Sequence, residues 1–475
     1  MKIIMAASEC VPFAKTGGLA DVMGALPKEL AEYGHDVTVF MPKYGLIPEQ
    51  FVKDFSLLEK VSVPFFGKQQ TCDVFQYQND NVRYLFLGNQ EYYGEPQIYS
   101  QADDERFGFF NIAILTIIKK FQLEADIIHV HDWHAAVIPF LLKEDSRFKS
   151  LGAEVKTVLT IHNLQFQGAF QQSVFTDSFG IEVDQFDGSA IEWNGKYNML
   201  KTGILYADKV TTVSPSYRDE ILTAQYGEGL EPILQKRERD LIGILNGLDT
   251  DFYNPATDLS IEMEFDQTSI EGKAVNKRAA QSLMGLPVKG HIPLIVMVSR
   301  LSGQKGIDVL EKSLPPLLES NELQFVLLGS GEEKYEEFFV ALARQFPDKV
   351  AVHIGFDENL AHQLYAGGDI FLMPSHFEPC GLSQLISMRY GTVPVANNTG
   401  GLKDTVIEYD RDNKTGNGFL SDFTRNSPFT EAVERALVLY QESEHWEAIK
   451  QNGIKEDYSW KQSAKVYEEL YKKLV

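Results

Sequence analysis

Two short stretches of this chain set paired glycines beside a charged residue in an order suited to binding an anion. Thr16-Gly17-Gly18-Leu19-Ala20-Asp21 is preceded by Lys15, and Thr399-Gly400-Gly401-Leu402-Lys403-Asp404 repeats the pattern far downstream. Each copy follows a strand-like run (Lys2–Ala7; Val393–Ala396) and leads toward a helix-like one. Glycines let backbone N–H groups approach an anion closely, and the positive end of a helix dipole favours negative charge there. A lysine ammonium at Lys15 is suited to neutralising a phosphate beside those amides. Arg300 and Lys305, in Ser299-Arg300-Leu301-Ser302-Gly303-Gln304-Lys305-Gly306, place two cations in the loop after another strand-like run. There they would hold a diphosphate and stabilise it as it leaves. Glu378 is a carboxylate at a strand's carboxyl end, and Gly381, Leu382 and Ser383 would open the next helix with free amides. Two glycine loops, one near each end, suggest two nucleotide-type domains facing one ligand.

Each of these features has an ordinary alternative: a tight turn, a surface ion pair or a helix cap. His129-Val130-His131-Asp132-Trp133-His134 nearly spells a dinuclear metal motif. Its aspartate falls one slot early, and on an extended segment a one-residue shift turns the carboxylate to the opposite face. Asp132 and His134 at a strand end fit sugar or acceptor hydroxyl contacts better, and Asp132 could also cap a helix. His162-Asn163 ends another strand-like run, Thr157–Ile161, where an imidazole can donate to a sugar hydroxyl or a developing charge. Asp249-Thr250-Asp251 and Asp410-Arg411-Asp412 lie in turn-rich polar stretches and read as plain loops. Cys380 has no base near it in sequence and reads as a packing residue.

The elements that must position these groups follow from the alternation of short apolar runs with helix-length amphipathic stretches. That is the pattern of a parallel sheet covered on both faces. The first series of runs is Lys2–Ala7, Asp36–Met41, Asp126–Val130, Thr157–Ile161, Lys209–Val213 and Ile242–Leu245. Between about residues 51 and 93 the character changes: Val74–Gln78 and Val82–Leu87, split by Asn79-Asp80-Asn81, predict an antiparallel hairpin. A second series comprises Leu294–Val298, Gln324–Leu328, Val350–Ile354, Ile370–Met373 and Val393–Ala396, with helices from Ile307, Glu333, Asn359, Gly381 and Thr430. The expectation is two doubly wound α/β domains, 1–245 and 246–457, with a hinge region from Asn246 to about Gly272. A C-terminal helix, 458–475, would pack back across the hinge, and the cleft between the domains would bind the ligand.

With 44 Lys and Arg against 67 Asp and Glu, the net charge of −23 argues against nucleic-acid or anionic-membrane partners. The three cysteines are scattered, no apolar stretch approaches the roughly 20 residues of a membrane span, and no signal peptide is evident. A cytoplasmic location is expected.

Taken together, Lys15-Thr16-Gly17-Gly18-Leu19, His131-Asp132-Trp133-His134, His162-Asn163, Asn246-Gly247, Arg300-Leu301, Gln304-Lys305-Gly306 and Glu378-Pro379-Cys380-Gly381-Leu382 resemble the bacterial glycogen synthases and plant starch synthases. The match runs in order over essentially the whole chain. The resemblance implies the GT-B architecture and retaining transfer of glucose from ADP-glucose to the nonreducing end of an α-1,4-glucan, with no metal or other cofactor. It implies that Lys15, Gly18, Arg300, Lys305 and the Leu382–Ser383 amides contact the donor diphosphate. By the same resemblance Asp21 lies near the donor, His162 by the glucosyl unit, Glu378 beside the reacting sugar, Asp132 on the acceptor side and Asn246 in the cleft wall. Asn163, Cys380 and Gly381 fall inside the matching motifs, Ser299 directly precedes one, and all four are carried as substrate-binding candidates. Phe356 stands where the family often has a tyrosine stacked on adenine, and keeps the ring face. Ser383 replaces a common threonine, and Ile386 stands where other GT-B enzymes place a second glutamate. A UDP-sugar transferase and a noncatalytic glucan-binding paralogue are the competing readings.

Overall fold

Apolar runs bounded by turn residues form strands buried on both faces, as helix-covered parallel sheets require. We describe a computed structural model, covering residues 1–180, 191–425 and 428–475. In chain order the strands are β1 (Lys2–Ala6), β2 (Asp36–Pro42), β3 (Ser56–Phe65), β4 (Lys68–Asn79), β5 (Val82–Gly88), β6 (Ile127–His131), β7 (Lys156–Ile161), β8 (Ala169–Phe170), β9 (Glu192–Trp193), β10 (Lys196–Asn198), β11 (Lys209–Thr212) and β12 (Leu241–Gly243). They continue with β13 (Leu294–Val298), β14 (Gln324–Gly329), β15 (Val350–Ile354), β16 (Ile370–Met373), β17 (Val393–Asn397) and β18 (Phe419–Ser421).

The chain divides into two units, Met1–Gly247 with Trp460–Val475, and Leu248–Ser459. Asn246 thus lies in the first unit, not the second: its N–H donates to the Val213 carbonyl (3.3 Å), whereas the Leu248 N–H donates to Tyr458 (2.7 Å). In the first unit the sheet order is β12-β11-β7-β6-β1-β2-β5-β4-β3. The strands from β12 to β5 pair in parallel, and β4 and β3 extend the edge as antiparallel hairpins. The predicted hairpin turns at Asp80-Asn81, both left-handed (φ 49° and 62°), which matches the strand twist. Strand β3 was not expected, because its first five residues are all exposed and show no alternation.

In the second unit the order is β15-β14-β13-β16-β17-β18, with every pair parallel. Apolar clusters lie on both faces of this sheet. The helix expected from Gly381 instead runs Ser383–Arg389, because Gly381 is left-handed (φ 78°). In both units the winding reverses beside the first strand, between β1 and β6 and between β13 and β16. In open α/β sheets ligands bind outside the strand carboxyl ends at such a reversal. No helix among the described residues is long and apolar enough to cross a membrane.

Candidate active site

In the first unit the loop after β1 folds around Glu9, which is 3% exposed. Its carboxylate accepts the Thr16 N–H (2.5 Å), the Gly17 N–H (3.1 Å), the Thr16 hydroxyl (2.6 Å) and the Tyr99 hydroxyl. Two of the amides expected to face an anionic ligand are therefore already held by the protein. Gly18 opens the Gly18–Glu32 helix and is exposed, and a Cβ at Gly17 or Gly18 would meet nothing within 4 Å. The outer face of the loop is open. Lys15 Nζ lies 2.7 Å from Asp21 Oδ1 in the helix's first turn, so both residues sit at the loop with their charges matched.

The loop after β6 begins at Asp132, whose backbone is left-handed (φ 54°). Its carboxylate accepts the His162 N–H (2.7 Å) and the Asn163 N–H, tying the end of β7 to the end of β6. Burial pushes the Asp132 carboxyl up to about 7. His162 is 9% exposed, its Nε2 lies 2.9 Å from His131 Nδ1, and burial holds its pKa down to about 3. Near neutral pH it is an uncharged imidazole. The Asn163 side-chain carbonyl takes the Gln165 N–H (3.0 Å) in a local turn. Asn246 Oδ1 is buried with no hydrogen-bond partner among the described residues.

His134, in the same loop, has one ring nitrogen satisfied inside the protein. It is buried, with Nδ1 3.2 Å from the Ser8 hydroxyl and its ring stacked on Tyr99. His129 is engaged at both nitrogens, by Tyr471 (2.7 Å) and Thr160 (2.6 Å). Among the described residues no three His, Cys, Asp or Glu are grouped to hold a metal ion.

In the second unit the loop after β13 carries Ser299 and Arg300. The Ser299 hydroxyl donates to the Arg300 carbonyl (3.0 Å), while the Arg300 side chain is exposed with no partner among the described residues. Lys305 ends a single 3₁₀ turn, Gly303–Lys305. Gly306 follows with φ 71°, and a Cβ there would fall 1.9 Å from the Pro374 carbonyl oxygen. That close approach brings Lys305 Nζ to 2.6 Å from Glu378 Oε2, which also accepts the Ser375 hydroxyl (3.0 Å). The lysine and glutamate side chains are 19% and 8% exposed.

In the second glycine loop the Gly401 amide is taken by the protein and not left for an anion. Gly401 N–H donates to the Glu378 carbonyl (3.0 Å), and a Cβ at Gly401 would fall 2.1 Å from the Cys380 carbonyl oxygen. Gly401 lets the loop pack against the Glu378–Cys380 segment. Cys380 is buried, and Gln384 Nε2 reaches back to the carbonyls of Cys380 and Gly381. Leu382 is the N-cap of the Ser383–Arg389 helix, and the Ser383 hydroxyl bonds to Tyr365. Phe356, after β15, is 86% exposed. Glu9, Tyr99 and Ser375 are neighbours that sequence reasoning missed, and His131, quoted there only within a motif, proves to pair with His162. Of the three missed residues Glu9 left a trace, as a carboxylate shortly after the first strand and before a glycine loop.

The sequence matches two family models, the starch synthase catalytic domain over residues 2–236 and the glycosyl transferases group 1 over residues 286–456. It is 46% identical to the glycogen synthase of Bacillus subtilis (strain 168) over 475 residues, covering 100% of this chain and 98% of that one. The chain belongs to the glycogen synthase family. It is a glycosyltransferase of GT-B architecture. The fold of the catalytic domain of starch synthase IV from Arabidopsis thaliana, bound to ADP and acarbose, superposes with a TM-score of 0.91 at 35% identity, covering 100% of this chain and 99% of that chain. Sucrose-phosphate synthase from Thermosynechococcus elongatus shares the fold at a TM-score of 0.64 and 17% identity, over 100% and 98% of the two chains.

Proposed function

We propose that this glycosyltransferase transfers glucose from ADP-glucose to the nonreducing end of an α-1,4-glucan, releasing ADP with retention at C1 and without a metal. The observation that carries the reading is the Lys305–Glu378–Ser375 array at the winding reversal of the second unit, where the loop after β13 also carries the exposed Arg300. Two cations at that edge suit a leaving diphosphate. The relative described as bound to ADP and acarbose supports this choice of donor and acceptor class. In this reading Lys15 and the Gly18 amide contact the diphosphate, Ser299 and the residues from Cys380 to Ser383 line the donor side, and the exposed Phe356 ring stacks on adenine.

A retaining hydrolase works with two close carboxylates. Here Glu378 Oε2 is engaged by Lys305 and Ser375, which favours an orienting, electrostatic role over attack on the sugar. A departing phosphate oxygen then takes the acceptor hydroxyl's proton, giving attack on the same face. Neutral His162 donates to the glucosyl unit, while Asp21, Asp132, Asn163 and Asn246 serve the donor and acceptor surroundings. A cytoplasmic enzyme with no nucleic-acid or membrane partner fits the net charge of −23.

The test is nucleotide release from ADP-glucose and from UDP-glucose, each with and without glycogen, in metal-free buffer. Glycogen-dependent ADP release supports the reading. Preference for UDP-glucose, or glycogen binding without turnover, overturns it.

A further inference from the structure

Three histidines of the first unit lie in a row that the proposed chemistry does not use beyond its last member. His129 is pinned by Tyr471 on the C-terminal helix and by Thr160, whose hydroxyl is in turn 2.6 Å from that of Thr211. The His129 ring lies 4.1 Å from the His131 ring at 33°, so His131 packs against a fixed neighbour. His131 Nδ1 meets His162 Nε2 at 2.9 Å, while His131 Nε2 is buried with no hydrogen-bond partner among the described residues.

That orphaned nitrogen decides which way the shared hydrogen bond runs. A neutral imidazole carries one N–H and one bare acceptor nitrogen. Were His162 Nε2–H the donor, the proton of His131 would sit on its Nε2, a buried N–H with nothing to receive it. Were His131 Nδ1–H the donor, Nε2 would be left as a bare lone pair, a lesser cost than an orphaned donor. Both rings are neutral, since burial holds His131 well below the usual imidazole range and His162 down to about 3.

Resting on the glucosyl-transfer reading, we propose that His131 is a positioning residue: it donates from Nδ1 to His162 Nε2 and locks His162 as the Nδ1–H tautomer. His162 then offers its ligand a hydrogen-bond donor and never an acceptor. Its partner is an oxygen of the sugar, and a ligand presenting only a hydroxyl proton to this edge is disfavoured. Asp132 holds the His162 backbone through its N–H, so ring and main chain are oriented by separate neighbours. The arrangement parallels the second partner that fixes the tautomer of a metal-bound or triad histidine.

The test is nitrogen NMR on the full-length enzyme labelled with ¹⁵N-histidine, with the His162 signals identified by their loss in His162→Asn. The expected result is a proton on Nδ1 of His162 at neutral pH, and redistribution toward Nε2–H in His131→Leu. A proton on Nε2 of His162 in the unaltered enzyme overturns the proposal, whatever the enzyme's donor proves to be. In kinetics, His131→Leu should lower kcat at least tenfold with the KM for ADP-glucose within threefold. His131→Asn, whose Nδ2 stands where Nδ1 stood, should recover most of kcat. Equal losses in the two variants, with both melting near the unaltered enzyme, overturn the proposal too. Absence of turnover with ADP-glucose by the unaltered enzyme would fail the glucosyl-transfer reading alone, and the NMR would still decide the tautomer.

Discussion

Replacing Lys305 with methionine keeps most of the side-chain volume and removes the charge 2.6 Å from Glu378 Oε2. The glutamate, 8% exposed, is left with the Ser375 hydroxyl at 3.0 Å. Removing one partner of a buried ion pair costs about 3–5 kcal/mol. Because Lys305 is 19% exposed and Ser375 stays in place, the expected cost is about 2–3 kcal/mol, below that range. In a unit of roughly 200 residues, each kcal/mol shifts Tm by about 2–4 °C, so the melt should fall by about 4–12 °C. Glu378→Gln removes the other charge, and the double variant should melt higher than the two single losses added together, since neither charge is then left unpaired. Activity should fall about 10²–10³-fold in Lys305→Met, as when a donor to developing charge is deleted. Strict additivity of the two single shifts in Tm would refute the coupling, and a kcat within threefold of the unaltered enzyme would refute the catalytic assignment.

Phe356→Ala should leave Tm unchanged, since the ring is 86% exposed, yet raise the KM for ADP-glucose several-fold, while Phe356→Tyr leaves both unchanged in steady-state assays. Lys273 Nζ, from the Gly272–Leu283 helix, donates to the carbonyls of Ala366 and Tyr390 (2.9 Å each) and to the Thr392 hydroxyl (2.7 Å). It thereby serves the carboxyl ends of two helices, Glu358–Gly367 and Ser383–Arg389. Lys273→Met should cost roughly 2–4 kcal/mol in thermal unfolding, because those buried acceptors lose their donor. The Asp132 carboxyl is raised to about 7 in the folded state, above its ordinary value of 3.8, so the folded state binds the proton more tightly. Its contribution to stability is present in full below about pH 4 and is lost as pH rises through 7. Melting curves of Asp132→Asn should therefore gain on the unaltered enzyme between pH 5 and 8.

The strands were legible because those buried on both faces read as unbroken apolar runs, as in Ile127–His131 and Gln324–Gly329. Strand β3 was not, since its exposed start, Ser56–Lys60, owes its place to pairing with β4 and not to its own pattern. Lys15, Arg300, Lys305 and Glu378 were legible as charges next to glycine turns at strand ends. Their pairings were not: Lys305 meets Glu378 across 73 positions, and Glu9 meets Tyr99 across 90. The repeated glycine loop misled for a physical reason. Glycine marks close approach of backbone, and at Gly401 the approaching group is the Cys380 carbonyl, not a ligand.

The C-terminal helix Trp460–Leu474 belongs to the unit that the first 247 residues build. It buries Trp460, Tyr467 and Tyr471 there, bonds His129 through Tyr471, and meets His35 through Glu468. The unit that begins the chain is therefore the last to be finished on the ribosome. Between its two parts lies the whole of the second unit, which takes about 10–40 s to synthesise at roughly 5–20 residues per second. During that interval the nascent first unit lacks the buried Trp460, Tyr467 and Tyr471, and His129 keeps Thr160 but lacks its Tyr471 partner. A message cut short before Trp460 yields a complete second unit attached to an unfinished first one, because the fifteen residues of this helix are made after the second unit.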